Sequence, residues 1–249
     1  MSKGKITLNC DMGESYGAWK MGDDQAVMPF VDMANIACGF HASDPSIMIQ
    51  TITLALQNNV QIGAHPSYPD LQGFGRRSLA MTPNDITQNV IYQIGALRGL
   101  CQSVNTDVEY VKPHGALYND MMVDESIFEA IIDAVSCFNL PLMMLATQTT
   151  DQHLDIADRY DVPLLFEAFA DRTYLSDGSL APRNLKGAVL DNEDDILNQV
   201  KQIAQYGKVR TLDGCSLLIE ADTICVHGDN EASIALIKKI RHALLIDED

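Results

Sequence analysis

Four of the six histidines, His41, His65, His114 and His227, stand within about two residues of the end of a short β-prone apolar run. Histidine is the side chain best suited to moving protons near neutral pH, so four of them aimed at one place point to acid-base chemistry. Asp11 and Asp229 sit at comparable positions and join them as candidate catalytic residues. Strand pleating sends alternate residues to one face, which gives Asn9 and Asp11 a common direction, as it does Lys112 with His114, Glu167 with Phe169 and Cys225 with His227. Buried carboxylate, lysine and histidine groups must pair or shift their pKa values, and such coupling supplies an acid and a base at one pH.

Asp11, His41, Asp44, His65 and His114 also form a candidate ligand set for a divalent metal. His41 and Asp44 are three apart, close enough to share an ion if the turn curls, although Pro45 makes Asp44 equally suited to capping a helix. No compact HExxH signature accompanies them. Lys112, Arg76, Arg77, Arg172 and Arg183 could bind a carboxylate or phosphate, while Arg76 and Arg77 equally suit salt bridges within a loop. With Asn9, Glu14, Asn35 and Glu167, the residues Arg76, Lys112 and Arg172 make the candidate substrate-contact set. There is no GxxxxGK[ST] loop for a nucleotide and no GxSxG elbow for a nucleophilic serine.

The elements that must position these groups alternate between short apolar runs and amphipathic helical stretches, which implies an α/β fold with parallel strands. Strands are expected at 5–10, 34–38, 60–64, 109–112, 141–146, 163–169 and 223–226, with a hairpin at 208–212 and 215–219 turning on Asp213 and Gly214. Helix starts are expected at Asp44, Thr82, Asp124 and Asp191, and 67–81 reads as a long loop. In an open sheet the outer two of seven strands would lie about 29 Å apart, scattering the candidate groups. A closed barrel gathers every strand end on one rim, so a distorted seven-stranded (β/α) barrel is preferred, with its site at the C-terminal face. A doubly wound open sheet ranks second, because no GxGxxG fingerprint is present.

The 249 residues are expected to form one domain, 1–249, with 47% hydrophobic content sufficient for a sizeable core. Thirty-four acidic against 17 basic side chains leave a net charge of −17, which argues against nucleic acid and anionic membranes as partners. The longest strongly apolar run, 140–146, is far short of the roughly 18 residues of a membrane span, and residues 1–9 lack a signal-peptide core. A cytoplasmic protein is expected. The six cysteines have no CxxC spacing, so they read as small hydrophobes rather than a disulfide framework or zinc site.

Taken together, the segments NCDMGES (9–15), ANIACGFHASDP (34–45), GAHPSYPD (63–70), GFGRR (73–77), KPHGALYN (112–119), FADR (169–172) and CVHGD (225–229) closely resemble the LamB/YcsF family. They run in family order over nearly the whole chain. Serine stands at 43 and 67 where the family pattern suggests glycine, and Ala168 and Thr173 flank the sixth-strand motif where other residues are usual. The resemblance implies a seven-stranded barrel like those of the glycoside hydrolases and deacetylases. It further implies ATP-dependent opening of 5-oxo-L-proline to L-glutamate, with ATP accompanied by Mg2+. In such an enzyme this chain would supply the ring-opening step beside two partner subunits, B and C, and could also form homo-oligomers. Asp11 or Asp229 with His41 would then act as base, with His65, His114 and His227 orienting and transferring protons and Lys112 and Arg172 contacting anions. Two alternatives stand beside this one. The first is a metal-dependent carbon-nitrogen hydrolase related to the deacetylases, and the second a non-catalytic carbohydrate-binding or regulatory subunit.

Overall fold

The computed structural model describes residues 6–148, 150–228 and 230–246. Seven parallel strands close into a barrel: β1 (Thr7–Met12), β2 (Met33–Ala37), β3 (Gln61–His65), β4 (Tyr110–Val111), β5 (Leu142–Leu145), β6 (Leu164–Phe169) and, after a hairpin, β9 (Thr223–Val226), which pairs with both β6 and β1. The hairpin, β7 (Lys208–Arg210) with β8 (Ser216–Leu218), stands outside that order and is antiparallel, as expected. The barrel is distorted where β4 has only two residues and meets β5 at a single register pair, Val111 with Leu142.

Helices α1 (Asp24–Val27), α2 (Pro45–Asn58), α3 (Pro83–Ser103), α4 (Gly115–Met121), α5 (Glu125–Ser136), α6 (Asp151–Arg159), α7 (Glu193–Tyr206) and α8 (Glu231–Ile246) connect the strands. Asp44, Thr82 and Asp124 accept hydrogen bonds from first-turn amides and start α2, α3 and α5 as read from sequence. The fourth expected start shifts by one residue. Asn192 caps α7 by accepting from the Asp195 amide at 3.1 Å, so Asp191 lies outside the helix. The short α4, directly after His114, is an addition to the expected pattern. None of the helices is long and apolar enough to cross a membrane among the described residues.

Alternation along the strands separates two environments. Leu8, Cys10 and Met12 of β1 point outward into the apolar layer under the helices, where Ile52 of α2, Ile94 and Leu97 of α3 and Ile131 of α5 are fully buried. Asn9 and Asp11 point inward. The barrel interior divides along its length. Met33, Tyr110 and Met143, with Leu165, make a separate apolar plug. Next to it Asn9, Asn35, Tyr110 and Thr223 are hydrogen-bonded to one another or to Glu167. Gly63 makes room for this layer, since a Cβ there would fall 2.2 Å from the Tyr110 ring. All six cysteines are free thiols.

Candidate active site

A cavity of about 320 Å³ opens at the C-terminal rim of the barrel. Its wall includes Asp11, Glu14, His65, Arg76, Lys112, His114, Tyr118, Phe169, Arg172, Arg183 and His227. These come from β1, β3, β4, β6 and β9, from the loops that follow them or, for Tyr118, from α4, so the strand ends do converge.

Lys112, 3% exposed, is the electrostatic hub. Its ammonium lies 3.1 Å from Asp11 Oδ1 and 3.0 Å from Glu167 Oε2, and also donates to Asn9 Oδ1 and Cys225 Sγ. Burial opposes the charged form, but Asp11, Cys225 and Glu167 hold the lysine pKa well above its ordinary value. Burial likewise works against the Asp11 carboxylate, yet His65 and Lys112 outweigh it and keep its pKa well below the usual range. Asp11 is therefore a fixed negative charge at neutral pH, further held by Asn35 Nδ2 at 2.8 Å.

Three histidines stand against this pair. His65 Nδ1 bonds the Lys112 carbonyl at 2.7 Å, which leaves Nε2 facing His114 Nδ1 at 2.9 Å and Asp11 Oδ2 at 3.3 Å. His114 Nε2 bonds the carbonyl of Phe74 at 2.9 Å. Because carbonyls only accept, both outer ring nitrogens carry hydrogen, and the two inner nitrogens are left to share a proton or a cation. His41 stacks on His114, with ring centroids 3.8 Å apart and planes 4° apart. Burial and its neighbour His65 lower the His41 pKa well below the ordinary imidazole value, and burial, His41 and His65 do the same to His114.

The loop that carries the Phe74 carbonyl is clamped by Asp70, which accepts from the Gly73 amide at 3.0 Å and pairs with Arg77. Gly115 is required where that loop meets α4. Its φ is +59°, and an added Cβ would lie 2.5 Å from the Gly75 carbonyl oxygen. On the opposite wall His227 Nδ1 and Asp171 Oδ2 are 3.0 Å apart. Burial disfavours both charges, but each favours the other's ionised form, so the His227 pKa moves up and that of Asp171 down.

Several sequence expectations change in detail. Asn9, Asn35 and Glu167 are fully buried beneath the cavity and do not line it, so they brace Asp11 and Lys112 rather than reach a ligand. His41, 1% exposed, likewise lies behind His114 and outside the cavity wall. Asp44 is committed to α2 and to the Gly17 amide at 2.8 Å, which removes it from the metal set. Arg77 is taken by Asp70. Asp229 lies outside the described residues. Asp11, Glu14, His65, Arg76, Lys112, His114, Arg172 and His227 do meet at the cavity.

Among the described residues, the group best placed for a metal is Glu14, His41, His65 and His114, whose ligand atoms lie within 4.8 Å of one another. The donor chemistry fits a divalent ion at Glu14, His65 and His114, since both histidines already give their outer N–H to a carbonyl, as metal-bound imidazoles do. His41 Nε2 lies 3.4 Å from Glu14 Oε1, with its ring parallel to that of His114.

Two features of the site are absent from the sequence expectations. The Phe74 carbonyl is a backbone group with no residue-type signal. Tyr118, by contrast, lies inside the KPHGALYN segment, where a phenol beside a histidine motif is such a signal. Its hydroxyl is buried, and burial together with the Glu167 carboxylate pushes the phenol well up.

The geometry has close counterparts among known proteins. The model of the LamB/YcsF family matches residues 6–248. A Vibrio cholerae protein named as the A subunit of 5-oxoprolinase is 66% identical over 244 residues, covering 98% of this chain and 99% of its own. A Pseudomonas aeruginosa protein of the same name, numbered 3, is 54% identical over 242 residues, or 96% of each chain. The crystal structure of a lactam utilization protein from Thermus thermophilus superposes with a TM-score of 0.91 at 37% identity, covering 98% of both chains.

Proposed function

This chain belongs to the LamB/YcsF family, and we propose that it is the A subunit of an ATP-dependent 5-oxoprolinase. It opens the lactam of 5-oxo-L-proline to L-glutamate together with subunits B and C. The observation that carries this reading is the set of Asp11, His65 and Lys112, locked together by 3.1 Å and 3.3 Å contacts at the wall of a cavity sized for a small molecule.

A lactam is a resonance-stabilised amide, and water attacks it only when its carbonyl is activated. ATP, with Mg2+, supplies that activation as co-substrate. Asp11 and His65 then orient the attacking water and take its proton. His227, whose pKa the adjacent Asp171 raises against burial, delivers a proton to the departing ring nitrogen. His41 acts on the site through His114 and is a positioning residue. An ATP-consuming assembly of this kind works in the cytoplasm, with the barrel as one domain across the chain.

The test is glutamate release from 5-oxoproline plus ATP by the assembled subunits. Asp11→Asn and His65→Ala are each expected to lower it at least about a hundredfold, the scale of a lost acid-base group. Activity of both variants within a few-fold of wild type would remove the site from consideration. A second reading, a metal-dependent carbon-nitrogen hydrolase, is favoured by the Glu14, His65 and His114 donors. A bound divalent ion would polarise the carbonyl there as a Lewis acid. Stoichiometric metal in the purified chain, lost with Glu14→Ala, would support it.

A further inference from the structure

The loop between β6 and α7 brings Leu180 and Arg183 to the cavity wall, and Arg172 holds it there. Arg172 is 7% exposed, and its guanidinium donates to the carbonyls of Ala181 at 2.7 Å and Ala188 at 3.4 Å, two alanines that are themselves fully buried. The six residues between them, 182–187, therefore form an arm closed at its base by one side chain. The Thr173 hydroxyl ties the same base by donating to the Gly187 carbonyl at 2.6 Å, and Gln199 donates to the carbonyls of Phe169, Ala170 and Arg172. Pro182 fixes φ at the first position of the arm, so little backbone freedom remains to be ordered when a ligand binds.

Arg183 is the exposed cation that this arm presents to the cavity. Among the described residues the arginines paired with a carboxylate are Arg77, Arg98, Arg159 and Arg241, so Arg183 is free for a ligand. Its charge is felt on one side of the cavity. Burial opposes the Asp171 carboxylate while His227 and, to a lesser extent, Arg183 favour it, and after burial Arg183 is what lowers the Arg172 pKa. Arg183 therefore shares a wall with His227 and Asp171. Arg76 stands elsewhere, over the Phe74 ring at 5.1 Å from its centroid, on the side where His114 bonds the Phe74 carbonyl.

We propose that Arg183 is the specificity-determining contact for the carboxylate of the lactam acid, and that Arg172 is the positioning residue that keeps it in reach. The proposal rests on the 5-oxoprolinase reading. The covalent order of the substrate matches the order of groups along the wall. In 5-oxoproline the ring nitrogen joins the carbonyl carbon to the carbon that bears the carboxylate. With the carbonyl carbon at Asp11 and His65 and the nitrogen at His227, the carboxylate is carried past His227 to the wall where Arg183 stands. Arg76, on the His114 side, lies toward the carbonyl end. A guanidinium meets a carboxylate through two parallel N–H donors, and a carboxylate left unpaired inside a cavity is costly. A neutral lactam of the same shape gains nothing from Arg183, so the arm selects the acid.

The probes are 5-oxo-L-proline and its neutral carboxamide, which has the same ring and nearly the same size, titrated into the full chain and followed by ligand-observed NMR. The wild type is expected to bind the acid at least about tenfold more tightly than the amide, the scale of one charge-assisted hydrogen bond. Arg183→Gln, at an exposed position, is expected to bring the two within about threefold by weakening the acid alone, and Arg183→Lys to recover part of the preference. Arg172→Met is expected to lose the preference as well and to speed amide exchange at Leu185 and Ala188, whose N–H groups bond within the arm. A preference lost there without faster exchange would make Arg172 a direct ligand and overturn its positioning role. No acid binding by the wild-type chain, a preference unchanged in Arg183→Gln, or one erased by Arg76→Gln instead overturns the assignment of Arg183. Turnover of 5-oxoproline by the assembled wild-type subunits separates the two levels. Turnover with a preference that Arg183→Gln does not alter sinks only this inference, whereas no turnover sinks the functional reading beneath it.

Discussion

Replacing Lys112 with methionine keeps most of the side-chain length and removes the charge that two inward carboxylates depend on. The ammonium lies 3.1 Å from Asp11 and 3.0 Å from Glu167. At an effective dielectric near 20 each attraction is about 5 kcal/mol, partly offset by the cost of keeping the lysine out of water. Removing one partner of a buried pair costs about 3–5 kcal/mol, so Lys112→Met should lose that much stability at pH 7. The loss should depend on pH with a definite sign. In the wild type the Asp11 pKa is depressed, so its contribution is present above the unfolded value near 4 and is lost as pH falls through the folded value. Without the lysine, one of the charges that outweigh burial at Asp11 is lost while His65 still opposes it, so the Asp11 pKa rises and the penalty shrinks as pH falls through that raised value. Urea denaturation of both proteins between about pH 3 and pH 7 should therefore show a penalty that shrinks toward the acid end. Adding Glu167→Gln to the variant should recover part of the loss. A penalty below about 1 kcal/mol at pH 7, or one that does not shrink toward acid, would refute the account of Lys112 as the counter-ion of the barrel interior.

Asp171→Asn should lower the His227 pKa, since the carboxylate now holds it up against burial. The raised His227 value stabilises the fold below the unfolded pKa near 6.5 and is lost as pH rises through the folded one, so the variant's stability deficit should shrink at high pH. The alkaline limb of kcat/KM for the assembled enzyme should move toward acid, and an unmoved limb counts against His227 as the proton donor. Gly115→Ala should cost about 1–3 kcal/mol, because φ is +59° and the new Cβ meets the Gly75 carbonyl; the check is thermal unfolding together with glutamate release. Ser43, held at φ +73°, should gain about 0.5 kcal/mol on Ser43→Gly, and a lower Tm would show that its hydroxyl outweighs the strain.

The seven barrel strands are legible in the sequence because each ends in a polar cluster that interrupts a β-prone run, and the structure moves most of their boundaries by only one or two residues. The reason for closure is also legible, since only a barrel gathers seven strand ends. What the pattern does not carry is depth. Asn9, Asn35 and Glu167 share the inward face with Asp11 and Lys112, and pleating predicts that much. Whether an inward residue touches a ligand or the residue above it depends on its height in the barrel, which register alone determines. Asn9 pairs with Met33, and Glu167 with Leu145 and Thr223, so both lie below the rim. His41 fails as a wall residue for a related reason. Its motif ends a strand, but the chain turns back through Ser43 in the left-handed region and tucks the ring behind His114. The glycine that the family pattern suggests at that position is the residue such a turn favours.

The buried polar layer explains why the reactive groups can be so few and so tightly placed. In water Asp11, Lys112 and His65 would each be solvated and mobile. In the barrel, Asn35 and Lys112 fix one oxygen of Asp11 while the Lys112 carbonyl fixes the tautomer of His65. The same residue thus supplies the charge that keeps Asp11 ionised and the backbone acceptor that turns His65 Nε2 toward it. A substrate entering the cavity meets dipoles that are already oriented, and little reorganisation remains for the reacting step. On the proposed mechanism the fully buried Asn9 and Glu167 would therefore bear on catalysis without reaching the substrate: loosening either would free the lysine, and through it both the carboxylate and the imidazole that face the cavity.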